Sequence, residues 1–509
     1  MTCHLKITHF IPSINTLLFI ATIIAIILSA NGKIANDPGA GWHIATGQQI
    51  TSTYSVPRID NFLSIDRPWI ADQWLSDLIF SITYSMGGWN ALASLVTITF
   101  ILTFFVILYR SLLFEGNSPL IALTSTIGAI KVAQIHFIVR PVVFSFLLFT
   151  IFLYLLRKKI QAYQSQSTPR LSLYLALTFI LWANTHPSFI IGLILIFIWL
   201  LTVAIDTLII NRQHKNQYEI KNIILTFIVC VIATIFNPYG LSLHSSILNL
   251  GQSAYFMNYH AEWLSPNFDH IEGKITEFFI FSYIISIYFS KSTKSARHLF
   301  EMLSCLFLLH GALQAVRMLP YFMIAFTFVW SRTASKLINL HSDKFIIRKF
   351  PLINALESRS PWYIAGITIC TTLAIIIPHL KIKINGQQVS YKPSPDKYPY
   401  EAIYYLEGKN SGTVNILAPA FMGGFITLTS KGKFKPILDD RNTLLGEDIY
   451  KNFHSAEKNA LEMRKLTKLY NVDYLILPQG HRLIYELNQT KWIENGFEDA
   501  ISTVFKIVQ

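Results

Sequence analysis

Ile11–Ala30 reads IPSINTLLFIATIIAIILSA, twenty residues without a charge, and after five more residues comes NDPGAGWHIATG, Asn36–Gly47. A helix of the first length crosses roughly 30 Å of hydrocarbon. The run is too long for a removable secretory leader and lacks the small-residue cleavage signature, so it is expected to stay as an anchor and as part of a helical bundle. The polar segment behind it, Asn36–Asp77, ends in RPWIADQWLSD and carries Asp37, Asp60, Asp66, Asp72 and Asp77 together with His43, Trp42, Trp69 and Trp74. A bare connector between helices has no use for so many acids and indole rings. The segment reads as a polar loop forming the floor of an active site at a membrane surface.

The rest of the 509 residues agrees with this opening. They are 52% hydrophobic and only 14% charged, with a mean hydropathy of +0.42, outside the usual range of soluble proteins. Further apolar runs fall near 86–109, 118–138, 141–156, 171–187, 189–210, 222–237, 275–290, 299–315, 319–336 and 361–380, which with the first makes about eleven spans. The fold class expected is an α-helical polytopic membrane protein over residues 1–380, with an outer loop at 31–85, followed by a small extracytoplasmic α/β domain over 381–509. In that tail Val414–Leu417, Tyr474–Leu477 and Ser502–Val508 read as strands, Lys435–Leu438 as strand-like and Ala456–Leu469 as an amphipathic helix. Gly423-Gly424 marks a turn or a close backbone approach.

A net charge of +13 suggests nucleic acid until its distribution is read. Residues 1–380 hold 25 Lys and Arg against 15 Asp and Glu, whereas the tail is nearly balanced at 17 and 14, so no nucleic-acid partner is expected. With the N-terminus in the cytoplasm the inner loops carry eighteen cations and the outer loops six, which predicts N-inside and C-outside. The same assignment puts nine of the fifteen acids of this region outside. Arg140-Pro141, NTHPS (Asn184–Ser188), NPYG (Asn237–Gly240), AEWLSPNFDH (Ala261–His270) and VRMLP around Arg317 fall on that face too. Cys3, Cys230, Cys305 and Cys370 are far apart in sequence and form no CxxC pair, supporting neither a disulfide framework nor a thiolate metal site.

In this order the segments resemble the GT-C-like bacterial polytopic membrane proteins, glycosyltransferases that use polyprenyl-linked sugars, including the RgtA/B/C/D-like group. The resemblance is carried by DPxxxWHxATG (Asp37–Gly47), VPRxD (Val56–Asp60), RPWIAxxWL (Arg67–Leu75), Arg140-Pro141, WANxHxxF (Trp182–Phe189), NPYG, EWxxPxF (Glu262–Phe268), RxxP (Arg317–Pro320), Gly423-Gly424 and DxR (Asp439–Arg441). It implies an inverting transferase in the bacterial cytoplasmic (inner) membrane. Such an enzyme moves a sugar from a polyprenyl phosphate to a glycan, lipid or protein of the cell envelope on the outer face. The sequence departs from the pattern at two places. Relatives tend to read DPDxWWH, whereas Gly39 and Gly41 stand where the second acid and the first tryptophan would be, and their HEW is Asp72-Gln73-Trp74. The missing acid keeps a second reading open, a non-catalytic member that binds glycan-lipids or scaffolds an envelope complex. Transport ranks last, because within the spans only Lys131, Asp206 and Glu301 are ionisable residues of note.

Glycosyl transfer needs a carboxylate to take the acceptor's proton, and Asp37 is the candidate catalytic base; the plainer reading makes Asp37-Pro38-Gly39 a turn. The leaving phosphate needs cations, for which Arg140, Arg317 and Lys131 are candidates, while snorkelling to headgroups is the plainer reading of the two arginines. Trp42, His43, Trp69, Asp72, Trp74, Asn184, His186, Glu262 and Trp263 are expected to line the substrate cavities. A divalent cation is the one cofactor left room for, with His43, Asp72 and Glu262 as candidate ligands from separate segments; His260 and His270 share that face. Asp439-Asp440-Arg441 invites a catalytic reading, but a charged turn after the strand-like Lys435–Leu438 is the plainer one, and the tail is expected to shape acceptor access or bind a partner.

Overall fold

The structure is a computed structural model that describes residues 14–30, 32–161, 169–207, 217–259, 261–289, 296–342, 360–384 and 386–508. His260 and many of the inner-loop cations, including those between residues 343 and 359, lie outside the described residues. Each apolar run of the sequence falls on a helix: Ile14–Ser29, Trp74–Phe114, Pro119–Ala133, Val142–Gln161, Pro169–Thr185, Phe189–Ile205, Gln217–Ile235, Ile271–Phe289, Ala296–Gln314, Leu319–Ser342 and Ser360–Ile376. Among the described residues one of them, the 41-residue Trp74–Phe114 run, is by itself long and apolar enough to cross a membrane, and Phe189–Ile205, Ile220–Ile235 and Ile364–His379 are shorter apolar helices. The helices are where the sequence puts them, while their lengths do not fix the number of crossings.

The segment expected as an open loop contains a 14-residue helix, Ala40–Thr53. It was illegible as a helix because its sequence, AGWHIATGQQITST, has no strong apolar stripe and two glycines. This helix lies against the start of the Trp74–Phe114 run, and a Cβ on Gly47 would collide with the carbonyl of Asp77. The run itself kinks at Gly87-Gly88, where Gly88 takes φ 60°, a conformation that glycine adopts without cost. Residues 74–86 therefore form a separate piece that packs on the Asn36–Asp77 segment.

The tail folds as an α/β unit around a five-stranded sheet in the order Phe434–Pro436, Val414–Leu417, Tyr474–Pro478, Ser502–Ile507, Ile493–Glu498. The first three strands run parallel and the last two join antiparallel. Val414–Leu417 and Tyr474–Pro478 are the near-continuous apolar runs that a parallel sheet buries on both faces. Ile493–Glu498, IENGFE, escaped the sequence reading because it is polar and sits at the sheet edge. The expected Ala456–Leu469 helix starts four residues later, as Ala460–Leu469, after Asn459, whose side chain accepts from the Glu462 N–H at 2.9 Å, and Ala456 ends a preceding helix, Glu447–Ala456.

The tail is docked on the Asn36–Asp77 segment. Trp42, Leu63 and Trp69 share one apolar core with Leu417, Ile437 and Leu438. Gly423 and Gly424 make no turn; they lie inside the Ala420–Thr429 helix, which approaches the segment so closely that a Cβ on Gly424 would strike the Pro38 carbonyl and one on Gly41 the Gly424 carbonyl. The Ser64 N–H donates to the Pro436 carbonyl at 3.1 Å and Arg67 Nη1 to that of Leu445 at 2.7 Å.

At the far end of the Val142–Gln161 helix from Arg140, Arg157 pairs with Glu115 at 2.6 Å and with Glu301 at 3.1 Å. Arg297 reaches both acids and Arg332 also grips Glu301. Glu301, one of the few ionisable groups that a transporter reading had to lean on, is thus closed in by three arginines.

Candidate functional site

Three elements bring the motifs together: the Asn36–Asp77 segment, the turns that carry Arg140, His186, Glu262 and Arg317, and the strand end Asp439–Arg441. The chain just before the Asn36–Asp77 segment is tied to the Arg140 turn, since the Val139 N–H donates to the Ile34 carbonyl at 2.8 Å. Between the three elements lies a cavity of about 260 Å³ lined by Pro38, Trp42, His43, Trp69, Asp72, Gln73, Arg140, His186, Pro187, Glu262, Trp263, Arg317, Asp440, Arg441, Asn442 and Thr443, among others. Nine of the sequence candidates are in this wall.

Asp37 is not in it. The residue is 6% exposed. Its Oδ1 accepts from the Gly39 N–H at 2.9 Å and its Oδ2 lies 3.4 Å from Arg140 Nη1. The turn expected as the plainer reading is present, and the same carboxylate also holds Arg140 from behind. Arg140 in turn pairs with Glu262 and lies 3.9 Å from Asp440. Glu262 lies 3.8 Å from Arg317, whose guanidinium sits 4.4 Å from the centre of the Trp263 ring. Two guanidiniums therefore converge on one carboxylate at the cavity wall. Burial and the neighbouring Arg140 bring Arg317 down to about 10, as expected where cations are crowded with too little anion.

His43 is buried, its ring tilted against Trp42 with centroids 3.6 Å apart, and its Nδ1 meets Asp77 Oδ1 at 2.5 Å. Burial, then Arg140 and Arg441, hold its pKa well below the usual imidazole value. His186, bonded to Ser188 at 2.8 Å, is lowered in the same way by burial and by Arg317 and Arg140. Asp72 is pushed up to about 6 by burial, against hydrogen bonding from Gln73 and the pull of Arg317.

The remaining candidates lie elsewhere. Trp74 Nε1 donates to Asn184 Oδ1 at 2.8 Å, and Asn184 donates to the Phe236 carbonyl at 2.8 Å. This clip borders a separate recess of about 590 Å³, mostly apolar, lined by Leu75, Ile180, Leu181, Ile235 and Phe236 among others. Lys131 ends its helix and donates to Gln134 at 3.3 Å, outside the cavity wall. The metal candidates do not assemble: Glu262 is engaged by two arginines, His43 is turned to Asp77, and among the described residues no three His, Cys, Asp or Glu side chains are grouped to hold an ion. His270 is exposed beside Glu272, 3.4 Å away. Cys230, Cys305 and Cys370 are unpaired.

Asp439–Arg441 is the turn expected, with the Arg441 N–H donating to Asp439 Oδ1 at 3.0 Å, and it is also a buried anchor. Arg441 donates to Asp60 at 2.6 Å and to Asp439 at 2.8 Å, and its guanidinium lies 4.7 Å from the Trp69 ring centre. The Tyr450 hydroxyl donates to the Asp439 carbonyl at 2.5 Å. Asp440, between the two, faces the cavity, and its Oδ1 accepts from Trp42 Nε1 at 2.7 Å. Burial pushes Asp440 up to about 7, with nearby Asp37 adding to the rise and Arg140 opposing it. The signal was in the sequence, as three charged residues closing a buried strand, but its partner Asp60 lies 381 residues away.

The cavity continues past Leu250, Asn442 and Thr443 into an open cleft of about 440 Å³. One wall is the Ser242–Gln252 helix, which presents Ser242, Ser245, Ser246 and Asn249, while Leu241 and Leu248 are exposed.

No protein-family model matches the sequence, and no curated protein is detectably similar. Solved structures are. The archaeal oligosaccharyltransferase AglB from Archaeoglobus fulgidus, in complex with an inhibitory peptide and a dolichol-phosphate, superposes with a TM-score of 0.60 at 13% identity, over 91% of this chain and 69% of that one. Its apo form gives 0.59 at the same identity and coverage, and the form tethered to an acceptor peptide gives 0.58. The chain has a GT-C-like fold. It is mostly helical with a small C-terminal α/β region.

Proposed function

We propose that this protein is a membrane glycosyltransferase of the inverting GT-C type, which moves a sugar from a polyprenyl-phosphate donor to an acceptor of the bacterial cell envelope. The reading places it in the cytoplasmic membrane as a multi-pass protein, with the site and the tail on the outer face. One observation carries it: Arg140 and Arg317 converge at the wall of a cavity that also holds carboxylates and indole rings. Glu262 between them marks the position as one that accepts an anion. A donor phosphate there would be gripped by planar forks suited to its oxygens, and charge developing on it as the sugar leaves would be neutralised in place. Trp263, partly exposed in the wall, offers its indole for packing against a sugar ring.

Donor and acceptor have separate approaches on this reading. The apolar recess beside Trp74 and Asn184 backs onto the same two corners, residues 72–75 and 184–187, and suits an isoprenoid chain. The hydroxyl-lined cleft along the Ser242–Gln252 helix suits the acceptor. AglB, which shares the fold, has been seen with a dolichol-phosphate and with an acceptor peptide, and the chemistry proposed here is of that kind. Membranes containing wild type or Arg317→Gln, supplied with radiolabelled polyprenyl-phosphate sugars, test it by chromatography of donor and products. Donor loss in wild type that falls sharply in the variant supports transfer. No loss with any donor from folded protein refutes it in favour of a non-catalytic glycan-lipid binder.

A further inference from the structure

We infer that Asp440, carried by the C-terminal α/β region, is the carboxylate that takes the acceptor's proton, so that the active site is complete only when this region is docked on the Asn36–Asp77 segment. The assignment rests on the glycosyl-transfer reading above and moves the base from Asp37, the candidate of the sequence, to a residue of the DxR segment.

Position is the first argument. Asp37 spends its carboxylate on the Gly39 N–H and on Arg140 and does not line the cavity, whereas Asp440 does. Asp440 is held by Trp42 Nε1 at 2.7 Å, and its other oxygen lies 3.9 Å from Arg140. Its neighbours Asp439 and Arg441 point the other way, into the anchor with Asp60. A side chain flanked on both sides by such an anchor loses little freedom by facing the reaction, which is the condition for a precise proton acceptor.

The second argument comes from the glycines that break the family pattern. A Cβ on Gly39 would lie 3.0 Å from Asp37 Oδ1, 3.1 Å from Trp42 Nε1 and 3.2 Å from Asp440 Oδ2. The space next to Gly39 is thus filled by the Asp440 carboxylate and its indole partner. Gly41 is bare because the Gly424 backbone lies on it. Both departures are consequences of one docking event, and the acid missing from the segment is supplied from 398 residues after Trp42.

The third argument is its proton affinity. The groups facing Asp440 are Asp37, Arg140 with Glu262 behind it, its chain neighbours Asp439 and Arg441, and Tyr398. Their balance and its burial bring it to about 7, near the value at which a base is both available and strong enough at neutral pH. In the reaction the acceptor O–H proton passes to the Asp440 carboxylate. The acceptor oxygen forms the new bond to the anomeric carbon, and the bond from that carbon to the phosphate oxygen breaks, with its electron pair leaving on the phosphate beside Arg140 and Arg317. Asp72, the other cavity carboxylate with a raised pKa, feels Arg317 and belongs to the phosphate side.

Full-length wild type, Asp440→Asn, Asp440→Glu and Asp72→Asn in membranes, with radiolabelled polyprenyl-phosphate sugars, are compared for donor turnover between pH 5 and 9. Asp440→Asn should lose about a hundredfold or more in kcat at little-changed KM for the donor, as removal of a general base does. It should also abolish the rise of kcat through neutral pH, which Asp72→Asn should keep. Asp440→Asn turning over within threefold of wild type, with that rise intact, would overturn the assignment and leave the transferase reading standing. If wild type consumes no donor, that reading fails and the assignment with it. Where Asp440→Asn does not fold, Asp440→Glu decides: a shifted pH rise supports the base role and an unshifted one overturns it.

Discussion

Replacing Arg441 with Met should release the C-terminal region from the rest of the chain. Arg441, Asp60 and Asp439 are at most 3% exposed, and the guanidinium bonds both carboxylates at 2.6 and 2.8 Å. Met fills much of the same volume but leaves two buried carboxylates with no counter-ion. Removing one partner of a buried pair costs about 3–5 kcal/mol, and the loss of the cation over the Trp69 and Trp42 rings adds about 0.5–2 kcal/mol. A cost of 3 kcal/mol alone raises the open fraction more than a hundredfold. The assay is pulse proteolysis in urea of membranes carrying a C-terminal epitope, which reads the fraction of chains whose tail has opened. Adding Asp60→Asn and Asp439→Asn to Arg441→Met should restore at least half of the loss, because the uncompensated charges are gone. A single variant within 1 kcal/mol of wild type, or a triple variant no better than the single, would refute the anchor.

Three further outcomes are expected. Arg317→Gln should lower donor turnover by about 10²–10³, and Arg317→Lys should recover only part of it, because an ammonium cannot grip two oxygens in one plane; equal rates for Lys and wild type would sink the fork argument. With its folded value near 7 and an unfolded value near 4, Asp440 keeps a proton that the unfolded chain has lost, so wild-type stability should fall relative to Asp440→Asn as pH rises from 4 to 7 and run parallel above that. Thermal unfolding of both proteins at pH 5 and 8 reads this directly, and an unchanged gap would contradict it. Gly41→Ala, which drives a methyl into the Gly424 carbonyl, should destabilise tail docking by about 1–3 kcal/mol, whereas Gly408→Ala, in open space within the Tyr400–Lys409 helix, should be neutral or stabilising by up to about 1 kcal/mol.

Much of this architecture was legible because hydrophobic periodicity and run length are local signals. Ile14–Ser29 and the other apolar helices, and the Val414–Leu417 and Tyr474–Pro478 strands, fall where the apolar runs are. What was lost had no local signal. The Ala40–Thr53 helix is neither apolar nor strongly amphipathic and owes its place to packing against the residues after Trp74. The Ile493–Glu498 strand is polar because it closes the sheet edge. Gly423-Gly424 could be read as a turn or as a close approach, and the Pro38 and Leu438 carbonyls that make it a close approach belong to distant segments.

The candidate site divides along the same line. Sequence alone brought forward Asp37, Trp42, His43, Trp69, Asp72, Arg140, His186, Glu262 and Arg317, because acids, cations and indoles cluster beside apolar runs, where a membrane protein otherwise has little reason to keep them. It could not rank them. That Asp37 stands behind Arg140 and that Trp74 turns to Asn184 depends on contacts across 103 and 110 residues of chain, and that Asp440 and Arg441 reach the cavity wall depends on contacts across 398 and 381. Such meetings are fixed by the shared core of Trp42, Leu63 and Leu438 and by bare backbone at Gly41 and Gly424. Composition determined the kind of protein and the residues available for chemistry; only the docking of the C-terminal region brought Asp440 to the cavity beside Asp72 and Glu262.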